Sequence, residues 1–228
     1  MRFFVTGTDT GVGKSEVSAS LLRAMVARGE TPFAWKPCET GGDADSMKLW
    51  HAAGAWQKKE DVCTFRFKQP LAPAIAAQLE KKKVDVEKLK KVFKKFGPGP
   101  GVVEGAGGLH VPLTPKHDVI DLIAALKLPV VLVGRAGLGT INHTTLSVNA
   151  LRERKIPIAA IVLSQAERID DASVRHNAPQ LRRRFPKTPV LGPVPFRTRP
   201  SEREAFFDSL IETFLGSEFG YGQPTSAK

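Results

Sequence analysis

A regular alternation of short apolar runs with helical patterns restricts the fold of this sequence more than any other feature. Six runs have the composition of β-strands, and they are residues 2–6, 32–36, 101–105, 129–134, 158–164 and 190–195. Helical spacing predicts helices at residues 14–28, about 44–53, 72–80, 85–96, 119–126, 140–154, 171–184 and 201–214. Most of the runs are continuously apolar, which is typical of parallel strands buried on both faces. The alternation therefore predicts an α/β fold with a doubly wound, mainly parallel sheet and helices on both faces.

The length of the chain, 228 residues, is typical of a single α/β domain. We expect one domain over residues 1–215 and a flexible tail over residues 216–228. No apolar run approaches the ~20 residues of a membrane helix, and the first run passes directly into a glycine-rich loop. The two cysteines, Cys38 and Cys63, form no Cys-x-x-Cys pair, which fits a reducing compartment. We therefore expect a soluble, cytoplasmic protein without a membrane partner.

The formal net charge of +11 raises the question of a nucleic-acid partner. Much of the charge lies in residues 81–95, where Val86, Leu89 and Phe93 recur at helical spacing and lysines fill the other face. A second basic cluster, residues 181–187, ends another predicted helix, where cations suit the helix dipole. Neither cluster has interleaved aromatic residues or a recognisable binding module. We interpret both as solvated helix faces and expect no nucleic-acid partner.

A glycine-rich stretch, GTDTGVGKSE at residues 7–16, follows the first predicted strand and opens the first predicted helix. Its glycines let backbone N–H groups turn toward phosphate oxygens, and the helix start adds a partial positive charge. Lys14 can reach the outer phosphates of a nucleotide, and the Ser15 hydroxyl can ligate Mg²⁺. The usual spacing, G-x-x-x-x-G-K-[ST], would put its first glycine where this chain has Thr8. The strand before and the helix after still predict a P-loop NTPase-like nucleotide site.

Charged side chains follow the second and third predicted strands, at the sheet edge where open α/β sheets bind ligands. Lys36 ends the second strand and can neutralise an anion. Asp43 and Asp45 then open a helix, and either can be an ordinary helix-start acid or a carboxylate for Mg²⁺. Glu104 lies in an apolar strand, where a charge without a partner would be costly. A metal role is therefore preferred for Glu104.

The predicted helix start in GLGTINHTTL, residues 137–146, leaves two interpretations open. Its free backbone amides can hold a second anion, for instance a substrate carboxylate. Alternatively, Thr140 or Asn142 simply caps the helix.

Six motifs of this chain resemble those of the dethiobiotin synthetases in order and separation, over nearly its whole length. They are GTDTGVGKS, WKPCETG, PLAPAIAA, VEGAGGLHVPL, GLGTINH and VLGPVP. The resemblance implies an ATP- and Mg²⁺-dependent enzyme of biotin biosynthesis that converts 7,8-diaminopelargonic acid and CO₂ to dethiobiotin, ADP and phosphate. It implies that one amine of the substrate forms an N-carbamate, which attacks the γ-phosphate of ATP. The product is a carbamic-phosphoric anhydride, and the second amine attacks it to close the ring and release phosphate. A homodimer with the substrate near the subunit interface is also implied.

The same resemblance implies roles for individual residues. The catalytic residues would be Lys36, Lys14 and Thr10. The nucleotide would be held by Gly11, Val12, Gly13, Lys14, Ser15, Glu16, Glu104, Gly105, Ala106, Gly107, Ser164 and Pro195. The substrate would be held by Thr10, Lys36, Thr40 and the helix start Gly139, Thr140, Ile141 and Asn142. The Mg²⁺ ligands would be Ser15, Asp45 and Glu104, with Asp45 preferred to Asp43 because its separation from Gly54 fits the family helix better.

Three positions depart from the family pattern. Ala74 replaces a frequent histidine in the wall of the substrate pocket, and Gly11 occupies a position that is acidic in some members. Ser164 stands where the family commonly has an asparagine that reads the adenine base. A hydroxyl cannot make the paired amide contact, and one hydrogen bond of about 0.5–1.5 kcal/mol corresponds to at most a roughly tenfold loss in base discrimination. The hypothesis is relaxed nucleotide choice with intact catalysis.

Two other functions have sequence requirements that differ from those of the dethiobiotin synthetases. A partition-type or scaffold dimeric ATPase switch would have a lysine at the start of a K-G-G-x-G-K loop, and Asp9 occupies that slot. An amidoligase of the cobyric acid type would need an appended glutaminase domain with a nucleophilic cysteine, for which this chain has no room. Cys38 lies near Lys36 but has no neighbouring base in sequence to activate it, so we interpret it as a packed residue.

Overall fold

A seven-stranded sheet forms the centre of the computed structural model, which describes residues 1–165, 171–196 and 199–216. The strands of the sheet are β1 (Arg2–Gly7), β2 (Phe33–Thr40), β3 (Cys63–Phe67), β4 (Gly101–Gly108), β7 (Val130–Arg135), β8 (Ile158–Ser164) and β9 (Val190–Val194). A separate antiparallel hairpin consists of β5 (Pro112–Thr114) and β6 (His117–Asp118). The sheet order is β3-β2-β4-β1-β7-β8-β9, and all its strand pairs are parallel.

Helices cover both faces of this sheet. They are α1 (Lys14–Ala27), α2 (Ala44–Ala52), α3 (Pro73–Leu79), α4 (Val86–Lys95), α5 (Val119–Leu126), α6 (Thr140–Glu153), α7 (Val174–Arg184) and α8 (Pro200–Gly216), with a 3₁₀ turn at Lys59–Asp61. One apolar core lies between the sheet and α3 to α7, and the other lies between the sheet and α1, α2 and α8. The predicted doubly wound α/β fold is therefore confirmed.

Two parts of the sheet differ from the predicted strands. β2 and β4 continue to Thr40 and Gly108, so Lys36 and Glu104 lie inside strands and not at their ends. The strand Cys63–Phe67 was not predicted, because it lies at the sheet edge and only Phe67 is fully buried, which leaves no continuous apolar run. The hairpin of β5 and β6 is too short to give a periodic pattern.

The single domain over residues 1–215 stays a prediction, supported by the continuity of one sheet across the structure. α8 ends at Gly216, and residues 217–228 of the predicted tail lie outside the described residues. Among the helices of the described ranges, none combines the length and the apolar character that crossing a bilayer requires.

Strand order determines where a ligand can bind. β1 lies between β4 and β7. The strands that follow β1 in the chain, β2 to β4, lie on one side of it, and β7 to β9 lie on the other side. In open α/β sheets, such a reversal opens a crevice at the carboxyl ends of the strands. The loop after β1 therefore faces a crevice that residues of β2, β4 and α2 also reach.

Candidate nucleotide-binding and catalytic site

A cavity of about 1010 Å³ lies at the carboxyl ends of β1, β2 and β4. Many of the predicted site residues line it, namely Thr10, Gly11, Gly13, Lys14, Ser15, Glu16, Lys36, Thr40, Asp45, Ala106 and Gly107. Its remaining walls include residues 70–73 before and within α3, together with Phe196 and Glu204 from the C-terminal part of the chain. The structure thus brings together residues that are far apart in sequence, as the motif assignment requires.

Glycines determine the backbone conformation of the loop after β1. Gly13 precedes α1 with a φ of 96°, a left-handed conformation that favours glycine. A Cβ on Gly7 would stand 2.6 Å from the carbonyl oxygen of Asp9 and 2.9 Å from Val12 Cγ2. The close backbone approach therefore occurs one residue before the usual first glycine, and this explains why the chain tolerates Thr8 in that slot. Val12 itself is buried in the core and contributes only its backbone to the loop.

Asp9 anchors this loop to the same chain. Its carboxylate accepts hydrogen bonds from the Thr10 backbone N–H at 2.7 Å and from Arg135 at 3.0 Å, and its carbonyl accepts one from Lys14 Nζ at 2.9 Å. Burial lowers the pKa of the Lys14 ammonium, and the carboxylates nearby only partly offset that effect. A partition-type switch has a lysine at the position of Asp9. In this protein the position carries a carboxylate, which pairs with Arg135 of the same chain.

A cluster of opposite charges lies beneath the loop. Lys36 Nζ donates to Glu104 Oε1 at 2.5 Å and to Asp45 Oδ2 at 2.8 Å. Ser15 Oγ lies 2.7 Å from Asp45 Oδ1 and 2.9 Å from Glu104 Oε1, so its hydroxyl can donate to either carboxylate. Burial alone would lower the pKa of Lys36, but Glu104 and Asp45 outweigh it and raise that pKa. Lys36 is therefore a permanent cation at physiological pH.

The pairing of Lys36 with Glu104 corrects one step of the sequence interpretation. Glu104 is fully buried, as expected, but the cation that compensates it is Lys36, from the neighbouring strand. Burial of Glu104 by itself therefore does not require a metal ion. The two residues pair because β2 and β4 are adjacent and in register, with Trp35 opposite Val103.

Asp45 and not Asp43 reaches this cluster, because the start of α2 is held in place by Glu39. The Glu39 carboxylate is 3% exposed, and its Oε1 accepts the backbone N–H groups of Asp45 at 2.8 Å and Ser46 at 3.1 Å. Asp43 precedes the helix and is exposed. Glu39 was missed in the sequence, because it follows the predicted strand 32–36 and lies between Lys36 and Thr40, whereas Glu104 lies in the apolar run 101–105.

Glycines at the end of β4 let this strand approach the phosphate loop. Gly107 has a φ of 63°, and a Cβ there would stand 2.7 Å from Val111 Cγ2 and 3.3 Å from Thr10 Oγ1. Gly105 packs against Phe4, where a Cβ would stand 2.9 Å from the ring. These contacts place the backbone of Ala106 and Gly107 in the cavity wall.

The predicted helix start at Gly139–Asn142 does not line the cavity. Gly139 precedes α6 with a φ of 90°, and Thr140 is buried with its hydroxyl 3.4 Å from that of Thr144. Since β7 neighbours β1, this helix start still lies at the same edge of the sheet as the phosphate loop.

Two further predicted nucleotide-binding residues, Ser164 and Pro195, are also not among the residues that line the cavity. Ser164 is buried at the end of β8, opposite Val194, and Pro195 follows β9 directly. Phe196, the next residue, does line the cavity. Cys38 is 1% exposed, and burial raises the pKa of its thiol, which agrees with its interpretation as a packed residue even though it also contributes to the wall of the cavity.

Comparisons with known proteins agree with this geometry. A family model described as an AAA domain matches residues 1–203. An ATP-dependent dethiobiotin synthetase BioD from Anaeromyxobacter dehalogenans (strain 2CP-C) is 45% identical over 193 residues, which are 82% of this chain and 86% of that protein. The synthetase of the same name from Agrobacterium fabrum is 37% identical over 197 residues, 85% of this chain and 89% of that protein.

A solved structure of the MinC:MinD cell division protein complex from Aquifex aeolicus has a TM-score of 0.58, covering 99% of this chain and 98% of that one. At 13% identity this likeness shows the fold alone. The dethiobiotin synthetases, by contrast, are similar in sequence over most of their length. The chain therefore belongs to the dethiobiotin synthetase family.

Proposed function

We propose that this protein catalyses the ATP-dependent carboxylation and ring closure of 7,8-diaminopelargonic acid to dethiobiotin. One amine of the substrate adds to CO₂ and loses a proton, which gives a carbamate. A carbamate oxygen then attacks the γ-phosphate, and ADP leaves. The second amine attacks the carbonyl carbon of the resulting carbamic-phosphoric anhydride, which closes the ureido ring and releases phosphate. The observation that supports this reaction best is the placement of Lys36 in the same cavity as the phosphate loop.

The two buried lysines account for the charge problem of this reaction. A carbamate and a triphosphate repel each other, and phosphoryl transfer is catalysed mainly by positioning and charge stabilisation. We assign Lys14 to the phosphates and Lys36 to the carbamate. Both ammonium groups are held by hydrogen bonds, Lys14 to the Asp9 carbonyl and Lys36 to Glu104 and Asp45. Thr10 and Thr40 add hydroxyls to the same cavity.

We further propose that Ser15, Asp45 and Glu104 hold Mg²⁺. Within the described residues no group of three His, Cys, Asp or Glu side chains is arranged for a metal ion, but this set combines two carboxylates with a hydroxyl. The set fits, because the buried Oε2 of Glu104 has no hydrogen-bond partner among the described residues. When bound, Mg²⁺ neutralises charge on the β- and γ-phosphate oxygens.

The charge of the cavity also supports an added cation. Its described lining contains three lysines and four acids, Lys14, Lys36, Lys48, Glu16, Glu39, Asp45 and Glu204. A polyanionic nucleotide would enter a wall whose lysines are matched by acids, which supports the proposal that a divalent cation accompanies the nucleotide.

A homodimer is proposed as the active assembly. The helix start at Gly139–Asn142, expected to hold the substrate carboxylate, lies outside the wall of the cavity in one subunit. Next to it, Leu138 is 78% exposed, and Leu146 on α6 is 60% exposed. We propose that these two side chains belong to the subunit interface, where a second subunit would complete the substrate site. Cytoplasmic location and the absence of a nucleic-acid partner stay predictions.

Phosphate release from ATP, measured with bicarbonate in the presence and absence of the diamine, tests the proposed function. We expect release to require the diamine, because the carbamate is the nucleophile. Release that is independent of the diamine would favour the partition-type ATPase switch, whose fold the chain shares.

Relaxed nucleotide choice is expected from Ser164. The ratio of kcat/KM for ATP over GTP and CTP should be lower, by up to roughly tenfold, than in family members with asparagine at this position. Steady-state kinetics with the three nucleotides under identical conditions measures this ratio. An equal or greater preference for ATP in this protein would contradict the hypothesis.

A further inference from the structure

An ion pair between Lys48 and Glu16 joins α2 to α1 at the wall of the cavity. The Lys48 ammonium contacts Glu16 Oε1, and both residues line the cavity. Their side chains are 38% and 22% exposed, so solvent reaches the pair. Glu16 belongs to the phosphate loop that the family resemblance assigns to the nucleotide, but its carboxylate has no assigned contact, and Lys48 has no assigned role. Both residues line the space that the nucleotide would occupy.

The position of Lys48 follows from that of Asp45. The two residues are three apart on α2 and therefore share one face of the helix. Asp45 contacts Ser15, and Lys48, one turn further on, contacts the next residue of α1, Glu16. Glu16 lies in the first turn of α1, where free backbone N–H groups would be available to phosphate oxygens. The Lys48 ammonium is thus close to the phosphate-binding end of α1.

The energetics favour an exchange of partners when a nucleotide enters. A partly exposed ion pair contributes little to stability, because solvent screens it and ordering two long side chains costs entropy. Hydrogen bonds from an ammonium to phosphate oxygens are among the stronger ones, and several negative charges act on the ammonium at once. The flexible stem of lysine allows the ammonium to turn without movement of the backbone.

We propose that Lys48 is a further nucleotide-binding residue. Its ammonium leaves Glu16 and donates to non-bridging phosphate oxygens of a nucleoside di- or triphosphate, while Glu16 holds it in the wall of the cavity when no nucleotide is bound. The proposal rests on the proposed function only in taking ATP as the nucleotide. It adds a second lysine to the phosphate site, beside Lys14, while Lys36 stays assigned to the carbamate.

Calorimetric titration of ADP and ATP into the full-length protein, without diamine or bicarbonate, tests this proposal. K48M should weaken the binding of both nucleotides about tenfold, as expected for the loss of one charge-assisted contact. K48R should bind within about threefold of the wild type, because it keeps the charge. E16Q keeps the backbone N–H that the first turn of α1 offers to a phosphate and removes only the competing anion, so it should bind as tightly as the wild type or more tightly.

Lys90 provides a matched control outside the cavity. It is 37% exposed and pairs with Glu87 on α4, so K90M should leave nucleotide binding unchanged. Thermal melts of all four variants identify any that fail to fold.

Two outcomes overturn the proposal. Wild-type affinity in K48M would exclude a contact with the nucleotide. Equal weakening in K48M and E16Q would mean that the ion pair only braces α1 against α2. Because binding is measured without the diamine, failure here is distinct from failure of the proposed function, which the diamine-dependent release of phosphate tests separately.

Discussion

Replacing Lys36 with alanine is expected to lower diamine-dependent turnover at least tenfold. Lys36 is the buried cation that we assign to the carbamate, and the loss of one charge-assisted contact of ~1.5–3 kcal/mol slows a reaction by about that factor or more. The same change leaves Glu104 buried without its cation, which we expect to cost about 3–5 kcal/mol of unfolding free energy. Phosphate release and urea unfolding measure the two effects.

Lys90→Ala is the matched control for this experiment, since Lys90 pairs with an acid on the exposed face of α4. It should change turnover and stability little. Near-normal turnover in Lys36→Ala, with the protein folded, would show that the charge assigned to Lys36 is not used in the reaction.

Replacing both Lys36 and Glu104 with apolar residues is expected to separate stability from activity. In the double variant Lys36→Met/Glu104→Leu, the buried ion pair gives way to apolar side chains of similar volume. Such replacements are often neutral or stabilising by ~1–4 kcal/mol, whereas removal of one partner costs ~3–5 kcal/mol. We therefore expect the double variant to be about as stable as the wild type, and turnover to be lost.

The comparison with the two single variants completes a double-mutant cycle. Lys36→Met and Glu104→Leu should each unfold at lower urea than the double variant, because each leaves one buried charge without its main partner. A double variant as unstable as the singles would mean that the pair itself stabilises the fold. The expected result would mean that the pair is kept for its chemistry, at no gain in stability.

Fold similarity and sequence similarity point to different relatives of this chain. The Aquifex aeolicus cell division complex covers nearly the whole structure, yet the identity is 13%. The dethiobiotin synthetase from Anaeromyxobacter dehalogenans (strain 2CP-C) is 45% identical over 82% of this chain. One fold supports many functions, so the function has to be inferred from the residues of the site. Here Asp9, bound to Arg135 of the same chain, occupies the slot of the switching lysine.

The sequence by itself determined the fold class and the phosphate loop. Continuous apolar runs and helical spacing are local properties, and they predicted the central strands closely. The edge strand Cys63–Phe67 was not predicted, because an edge strand is partly exposed to solvent and its sequence therefore has no continuous apolar run. The motifs likewise identified the family. A loop such as GTDTGVGKS is recognisable in the sequence, because its backbone conformation depends on residues that are neighbours in the chain.

Only the tertiary structure decided which charges meet. Lys36 and Glu104 are 68 residues apart in sequence and pair because β2 and β4 are neighbours in one register. Glu39 and Lys48 acquire their roles in the same way, from the placement of α2 beside the phosphate loop. Strand order and register depend on packing across the whole sheet, and a shift of one residue would turn each side chain to the opposite face. No local pattern in the sequence contains that information.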